Sequence, residues 1–97
     1  MQAEGEDDLV AIPIEDVLDL HPFRPNETAS VVAEYLAAAA AKGFHEVRLI
    51  HGRGIGVQRA IVRMTLERSS RVASFEDATP ERGGWGATVV RLSSSGS

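Results

Sequence analysis

The sequence predicts an α/β domain, an α+β sandwich of βαβαββ order, with a four-stranded mixed sheet and two helices on one face. Two stretches repeat apolar residues at helical spacing, and four short stretches show the alternation or the β-branched residues typical of strands. Each of the first two strands leads into a helix. Because parallel connections through a helix are almost always right-handed, both helices are expected on the same face of the sheet.

Prolines separate the first strand from the first helix. "VLDL" at residues 17–20 alternates around one acid, and Pro22 stops it from continuing as a regular element. Asn26 is a good N-cap and is followed by apolar residues at helical spacing, so a helix is predicted over about residues 26–42. Gly43 after a lysine is a typical helix end.

The second half of the chain supplies the second helix and the other three strands. The largely apolar "EVRLI" at 46–50 predicts a buried strand that runs directly into a glycine-rich stretch. The second helix is predicted from Gly56 to about Arg68, and the last two strands at 71–78 and 86–92. Strands that each precede a helix end at the same edge of such a sheet, so the ends of the first two strands should meet where ligands usually bind.

The composition is that of an ordinary globular domain. The 97 residues fit a single core, 43% are hydrophobic, 25% are charged, and none is cysteine. The lack of cysteine excludes disulfide scaffolds, zinc–thiolate sites and thiol nucleophiles. The N-terminus has no signal-peptide pattern and the longest apolar run is far too short to span a membrane, so we expect a cytoplasmic protein with no membrane partner.

Charge is distributed unevenly along the chain. Six of the fourteen acidic residues precede residue 17, whereas all ten Lys and Arg lie from Arg24 onward, which leaves eight acids with ten bases in the folded part. Residues 1–12 are expected to form an acidic flexible segment, residues 13–92 the domain, and residues 93–97 a disordered tail. The domain is therefore slightly basic although the whole chain has a net charge of −4.

The stretch "IHGRGIG" at residues 50–56 combines flexible backbone with positive charge. Glycines let the chain approach a ligand closely, and the stretch opens onto a helix N-terminus whose N–H groups attract anions. Arg53 supplies a guanidinium fork suited to phosphate. The stretch is neither a P-loop nor a dinucleotide fingerprint. It predicts an anion site at Gly52, Gly54 and Gly56; the alternative is a tight turn that needs glycine for its geometry alone.

Two strand ends each carry a histidine. Asp19 and His21 in "LDLH" point to the same side of a strand, so Asp19 can orient His21 or hold a cation while His21 acts as a general acid or base. His51 is expected beside them at the adjacent strand end. The alternative is a purely structural hydrogen bond between Asp19 and His21. His45 belongs to no cluster and is expected to be an exposed loop residue.

Basic and aromatic side chains indicate a polyanionic partner. Arg24, Arg53, Arg59 and Arg63 are candidates to line the same edge as the histidines, a footprint that would neutralise several phosphates. Scattered surface arginines are the alternative. Trp85 lies between glycines before the last strand and can either stack on an unpaired base or pack as a lid on the sheet edge.

Three motifs occur together in one order: "LDLH" at 18–21, "IHGRG" at 50–54 and "GGWGAT" at 83–88. With them, residues 17–92 resemble the small MutS-related (Smr) domain, which occurs at the end of MutS-like recombination suppressors and as stand-alone proteins. The resemblance implies a βαβαββ sandwich similar to the C-terminal domain of translation initiation factor three. It also implies nucleic-acid binding and, as in several members, endonuclease activity that nicks or cleaves DNA or RNA, often stimulated by a divalent metal.

Two positions depart from the family pattern. Pro22 stands where glycine is usual and removes a backbone donor at the edge of the site, and Arg53 stands where lysine is usual, which keeps the charge but changes its shape. The functional residues that the resemblance implies by position are Asp19, His21, His51, Gly52, Arg53 and Gly54.

Two chemical routes stay open, for either DNA or RNA. In one, Asp19 helps to hold a weakly bound Mg²⁺ or Mn²⁺ that activates water, since one carboxylate makes no tight metal site. In the other, His21 and His51 act as base and acid on an RNA 2′-hydroxyl and the leaving oxygen, while Arg53 stabilises the developing charge. A different class of function is a non-catalytic module that binds nucleic acid or a ribosomal surface, in which alanine at His21 would change little.

Overall fold

The computed structural model describes residues 14–54 and 56–93. The predictions for residues 1–12 and for all but the first residue of the tail lie outside the described residues. The described residues confirm the predicted βαβαββ order and add two short 3-10 turns before the last strand. The elements are β1 (Val17–Asp19), α1 (Pro25–Ala41), β2 (Glu46–Ile50), α2 (Val57–Glu67), β3 (Val72–Asp77), the 3-10 turns Pro80–Arg82 and Gly84–Gly86, and β4 (Ala87–Leu92).

The sheet is mixed, as predicted, with the strand order β1-β2-β4-β3. β1 runs parallel to β2, and β4 runs antiparallel to both of its neighbours. Asp19 lies beside Ile50 in the register, and the Leu20 N–H donates to the Ile50 carbonyl at 2.8 Å. The chain therefore leaves β1 and β2 at the same edge of the sheet, and the two strand ends meet there as the sequence predicts.

The core lies between the two helices and one face of the sheet. Apolar side chains at alternate strand positions face the helices, and α1 and α2 present apolar side chains to them at helical spacing. Both helices therefore cover the same face, as predicted. Fully buried members of this core include Leu36, Leu49, Val62, Leu66 and Val90.

The other face of the sheet is covered by neither α1 nor α2. Its residues alternate with the core positions along the two central strands and lie side by side in the register. A small apolar cluster of buried and partly buried side chains lies on it. We call this surface the open sheet face, and its central residues are Glu46, Arg48, Ile50, Ala87, Val89 and Arg91.

The first helix begins one residue earlier than predicted, because Arg24 and not Asn26 is the N-cap. Pro25 occupies the first helical position, where its fixed φ suits the helix and its missing N–H is not needed. The Glu27 carboxylate accepts the Arg24 backbone N–H at 2.9 Å, and the Glu27 backbone N–H donates to the Arg24 carbonyl at 2.8 Å. The prediction of Asn26 as the cap is therefore wrong, since the proline before it already belongs to the helix.

The other element boundaries agree with the predicted ones to within one residue. Gly56 is the N-cap of α2 and Arg68 its C-cap, so the predicted ends of that helix are its caps. The two 3-10 turns were not predicted, and Gly83 between them has a φ of +118°. Within the part of the chain that the structure describes, no helix is long and apolar enough to cross a membrane.

Candidate active site

Asp19 and His21 form a hydrogen-bonded pair where the chain leaves β1. Asp19 Oδ1 accepts the backbone N–H of His21 at 2.9 Å and the ring Nδ1–H of His21 at 2.7 Å. Since an ionised carboxylate can only accept, Nδ1 carries the hydrogen and Nε2 of the neutral ring keeps its lone pair. The hydrogen bonds from the His21 backbone and then from its side chain lower the pKa of the Asp19 carboxyl, which favours the ionised form.

The imidazole of His21 lies against the backbone of Gly52. A Cβ at position 52 would stand 2.7 Å from His21 Nε2, closer than such atoms pack, and Gly52 has a φ of +80°. Glycine is the residue that satisfies both conditions. The first glycine of the second motif therefore lets the Nε2 edge of His21 approach the chain that leaves β2.

The turn that carries His21 is tied to the start of α2 by Gln58. The Gln58 side-chain amide donates to the Leu20 carbonyl at 3.3 Å and to the Phe23 carbonyl at 3.0 Å. Its oxygen accepts the hydroxyl of Thr28, which is fully buried in α1. Sequence reasoning did not find Gln58, because it lies off the apolar stripe of its helix and meets the turn only in the folded protein.

His51 follows β2 but is buried, with 5% of its surface exposed. Its Nδ1 is 3.0 Å from the Gly52 carbonyl and its Nε2 is 2.9 Å from the Thr88 hydroxyl. A carbonyl can only accept, so Nδ1–H donates to Gly52 and Nε2 accepts from Thr88. Burial is the main cause that lowers the pKa of His51, so the ring is neutral near pH 7. Both ring nitrogens are thus engaged by the protein.

The two histidines therefore have separate settings at one sheet edge. The partner of His21, Asp19, lies beside Ile50 on the open sheet face, whereas Thr88 lies beside the buried Leu49 on the core face. The His21 side chain is 61% exposed. The structure brings the two strand ends together, as the sequence predicts, but gives the two rings different partners and different exposure.

The third motif supports the second. The Gly86 carbonyl accepts the backbone N–H of His51 at 3.0 Å and that of Gly52 at 2.9 Å. A Cβ at Gly84 or Gly86 would stand 3.2 Å from the side chain of Arg53, so these glycines leave room for the arginine. The start of the glycine stretch is therefore held in place by the turn that contains the only tryptophan.

The glycine stretch lines a small cavity of about 120 Å³ at the start of α2. Gly56 caps the helix in the left-handed conformation, with a φ of +87°. The backbone N–H groups of the first helical turn have no intrahelical acceptor and favour an anion there. The exposed Arg53 and the loop residues Gly52 and Gly54 line the same cavity. The predicted anion site thus coincides with a concave surface at a helix N-terminus.

Arg59, Arg63 and Trp85 lie in one row beside β3. The Arg59 guanidinium stands 4.8 Å over the Trp85 ring and 2.8 Å from Asp77 Oδ1. Arg63 reaches the same oxygen at 3.4 Å and stands 5.1 Å over the Phe75 ring. Trp85 keeps 43% of its surface exposed. Asp77, which sequence reasoning did not single out, offsets part of the charge of two predicted binding residues.

Arg24 stands apart from this row. It is the exposed N-cap of α1, and its hydrogen bonds in the described structure are to Glu27 and Thr28 of the same helix. The four predicted arginines therefore have three settings: Arg24 at the start of α1, Arg53 on the glycine stretch, and the other two on Asp77.

The side chains present do not form a cage for a divalent cation. Among residues 14–54 and 56–93, no group of three or more His, Asp or Glu is arranged to hold a metal ion. Asp19 contributes one carboxylate, and its Oδ1 already accepts two hydrogen bonds from His21. Mg²⁺ and Mn²⁺ prefer several oxygen ligands, so this donor set does not fit a tightly bound ion.

Comparison with known sequences decides the family. The family model described as Smr domain matches residues 18–93. The chain belongs to the Smr domain family. It is 41% identical over 93 residues to Endonuclease MutS2 of Thermus thermophilus. This alignment covers 94% of the chain and 12% of the relative. It is 37% identical over 75 residues to Endonuclease MutS2 of Staphylococcus saprophyticus. That alignment covers 77% of the chain and 10% of the relative. The chain therefore spans about a tenth of the length of these relatives.

Two solved structures share the fold. The Smr domain of Thermus thermophilus MutS2 superposes with a TM-score of 0.76 at 42% identity, covering 79% of this chain and 96% of that one. YdaL, a stand-alone small MutS-related protein from Escherichia coli, gives a TM-score of 0.76 at 27% identity, covering 95% of this chain and 76% of that one. The family and the fold predicted from the sequence are confirmed.

Replacing Gly52 by alanine should displace the His21 ring. The added Cβ would stand 2.7 Å from His21 Nε2, and the left-handed backbone costs about 1–2 kcal/mol for a residue with a side chain. Gly43→Ala is the matched control, because Gly43 has a φ of +88° but nothing lies within 4 Å of its added Cβ. Chemical denaturation should show a loss of stability in both variants. Only Gly52→Ala should shift the His21 ring signals in NMR spectra; unchanged signals would contradict the contact.

The buried His51 should make the stability of the fold depend on pH. Its pKa in the folded protein lies below the ordinary value of about 6.5, so the unfolded chain binds a proton here that the folded chain does not. The free energy of unfolding should therefore fall as the pH drops from above 6.5 toward the folded pKa.

His51→Gln should flatten this pH response, because glutamine cannot take up the proton. Urea denaturation of the wild type and of His51→Gln at about pH 7.5 and about pH 5.5 measures it, and the two pH values are compared within each protein. The same loss of stability in both proteins would show that His51 is not held neutral by burial.

Proposed function

We propose that this protein binds nucleic acid and cleaves its phosphodiester backbone at the Asp19–His21 pair. The observation that carries the proposal is the 2.7 Å hydrogen bond between His21 Nδ1 and Asp19 Oδ1, which leaves Nε2 of an exposed ring as a proton acceptor. In Ser-His-Asp hydrolases an aspartate likewise fixes the tautomer of the histidine that takes the proton of the nucleophile. Membership of the Smr family supports the proposal, since relatives are named endonuclease MutS2.

In this mechanism His21 is the general base. Its Nε2 takes the proton of the attacking oxygen, which belongs to water or, in RNA, to the ribose 2′-hydroxyl. The attacking oxygen forms a bond to phosphorus, and the bond to the leaving oxygen breaks. The leaving oxygen takes up a proton from solvent water, and the exposed imidazolium of His21 returns its proton to solvent. Asp19 stabilises the imidazolium formed in the first step, because the carboxylate is ionised and hydrogen-bonded to Nδ1.

The glycine stretch is the proposed cradle for the phosphate. Gly52 and Gly54 let a phosphate oxygen lie against the backbone, and the helix that begins after Gly56 favours negative charge there. The exposed Arg53 lies beside this cavity, and its guanidinium is proposed to stabilise the negative charge that develops on the phosphoryl oxygens in the transition state. Because His21 Nε2 touches Gly52, base and cradle adjoin each other.

Trp85 is the proposed platform for an unpaired base next to the cleaved linkage. Its ring is 43% exposed and is backed by the guanidinium of Arg59, so it offers an outer face for stacking. Arg59 and Arg63 both pair with Asp77, so these three side chains together carry a net positive charge beside the tryptophan. Arg24 is proposed as an outlying phosphate contact at the start of α1.

His51 and a divalent ion take no part in the proton transfers proposed here. The two nitrogens of His51 are occupied by Gly52 and Thr88, so its proposed role is to hold the start of the glycine stretch. The donors around Asp19 do not fit a tightly held ion. Mg²⁺ or Mn²⁺ is therefore proposed only as a weakly bound ion, and no step of the mechanism is routed through it.

Replacing His21 by alanine should lower the cleavage rate by about 10²–10⁴-fold, the usual contribution of a general base, while binding is retained. The substrates are a supercoiled plasmid and a structured RNA. The matched control is His45→Ala, which removes an exposed histidine outside the site and should cut like the wild type. Cutting should persist in the presence of a chelator.

The outcomes of this experiment separate the possible functions. An RNA with one 2′-deoxyribose at the cut position distinguishes attack by the neighbouring hydroxyl from attack by water. Cutting that His21→Ala retains in full would overturn the catalytic assignment. Bound but uncut substrate with every protein would replace the enzyme by a nucleic-acid-binding or ribosome-binding module.

A further inference from the structure

A groove of about 480 Å³ lies on the open sheet face, beside the cavity at the start of α2. Its apolar lining comes from the two central strands, and its polar lining comes from arginines of a strand, of the glycine stretch and of the first 3-10 turn. The residues that matter for its chemistry are Arg48, Ile50, Gly52, Arg53, Arg82 and Ala87.

The groove is continuous with the Asp19–His21 pair. Gly52 lines both the groove and the cavity at the helix start, and His21 Nε2 rests against it. Asp19 lies in the register beside Ile50, which lines the groove. A chain held at His21 therefore has a concave surface to follow away from the reacting linkage.

Positive charge predominates in this groove. Within the described structure Arg48 has no carboxylate partner: its Nη1 donates to the neutral Arg82 carbonyl at 2.8 Å, and its Nε–H has no acceptor. Arg53 likewise forms no ion pair with a described residue. Glu46 is shared, since one oxygen lies 3.5 Å from Arg82 and the other 3.3 Å from Arg91. The lining of the groove thus includes three arginines and no acidic residue, whereas Arg59 and Arg63 both contact Asp77 directly.

The shape of the groove suits a single strand. Its floor includes Ile50 and Ala87, which pair across β2 and β4, and neighbouring strands lie about 4.8 Å apart. A duplex, whose major groove alone admits a whole α-helix, has a cross-section too broad to enter a groove of about 480 Å³. Ala87 is buried, so the partly buried Ile50 is the apolar side chain that a base or a sugar can contact between these arginines.

We infer that this groove binds the single-stranded nucleic acid that continues from the cleaved linkage, with successive phosphates against Arg53, Arg48 and Arg82. The inference rests on the proposed function, because it assigns the path of the same substrate beyond His21. It adds Arg48 and Arg82 to the binding surface and places that path on the open sheet face, away from the row formed by Arg59 and Trp85.

The salt dependence of binding tests this path. Affinity for labelled single-stranded DNA and RNA oligonucleotides is measured across a salt series in a His21→Ala background, which prevents cutting. Each phosphate contact contributes about 0.7 to the slope of log affinity against log salt for a single strand. Arg48→Gln with Arg82→Gln removes two contacts and should make the slope shallower by about 1.4. Arg82→Gln alone, on an exposed side chain, should give about half of this change.

A charge-matched control separates the groove from a general loss of positive charge. Arg68→Gln with Arg71→Gln also removes two positive charges, but from residues that line a cavity of the helix layer, and it should leave the slope near that of the parent. Suppose that the parent binds, that the wild type cuts, and that the groove variant shows the same salt slope as this control. That result would overturn the inference and leave the proposed function intact. A wild type that neither binds nor cuts would overturn the proposed function, and the inference with it.

Discussion

The parallel pairing of β1 with β2 is the constraint on which the site depends. The hydrogen bond from the Leu20 N–H to the Ile50 carbonyl aligns the two strand ends at one level of the sheet edge. The turn with His21 and the stretch that begins at Gly52 therefore start side by side, which is why a Cβ at Gly52 would collide with the imidazole. Neither motif contains a site by itself. The first supplies a histidine that is hydrogen-bonded to Asp19, the second supplies a concave backbone beside the positively charged Arg53, and the register joins them.

The surrounding contacts hold this junction in one geometry. Gln58 fixes the turn before α1 from the first turn of α2, and the Gly86 carbonyl fixes the start of the glycine stretch from the 3-10 turn before the last strand. His51 is part of this scaffold, because it is buried and bonded at both nitrogens, while His21 is exposed and bonded at one. Two histidines that look equivalent in the sequence are thus divided by the sheet into a buried group bonded on both sides and an exposed group that is the proposed general base.

The order of elements and the meeting of the strand ends could be predicted from the sequence, because hydrophobic periodicity and the handedness of crossovers depend on short-range rules. The start of α1 was misplaced because Pro25 and Asn26 are adjacent helix-start signals and the sequence does not rank them. The setting of His51 was beyond reach, since it depends on the register that β4 takes. Arg48 could not be singled out from the sequence either, because only the fold brings Arg82 to it from a distant turn.

The most direct measurement is a crystal structure of the wild-type protein with a single-stranded oligonucleotide whose linkage cannot be cut. The expected complex has the attacking oxygen, a water or the ribose 2′-hydroxyl, at about 2.6–3.2 Å from His21 Nε2. A phosphate oxygen of the same linkage lies against the backbone of Gly52, and the strand continues along the open sheet face past Arg48. A strand bound only along the row of Arg59 and Trp85, with no phosphate at His21, would contradict the junction of β1 and β2 as the reacting site.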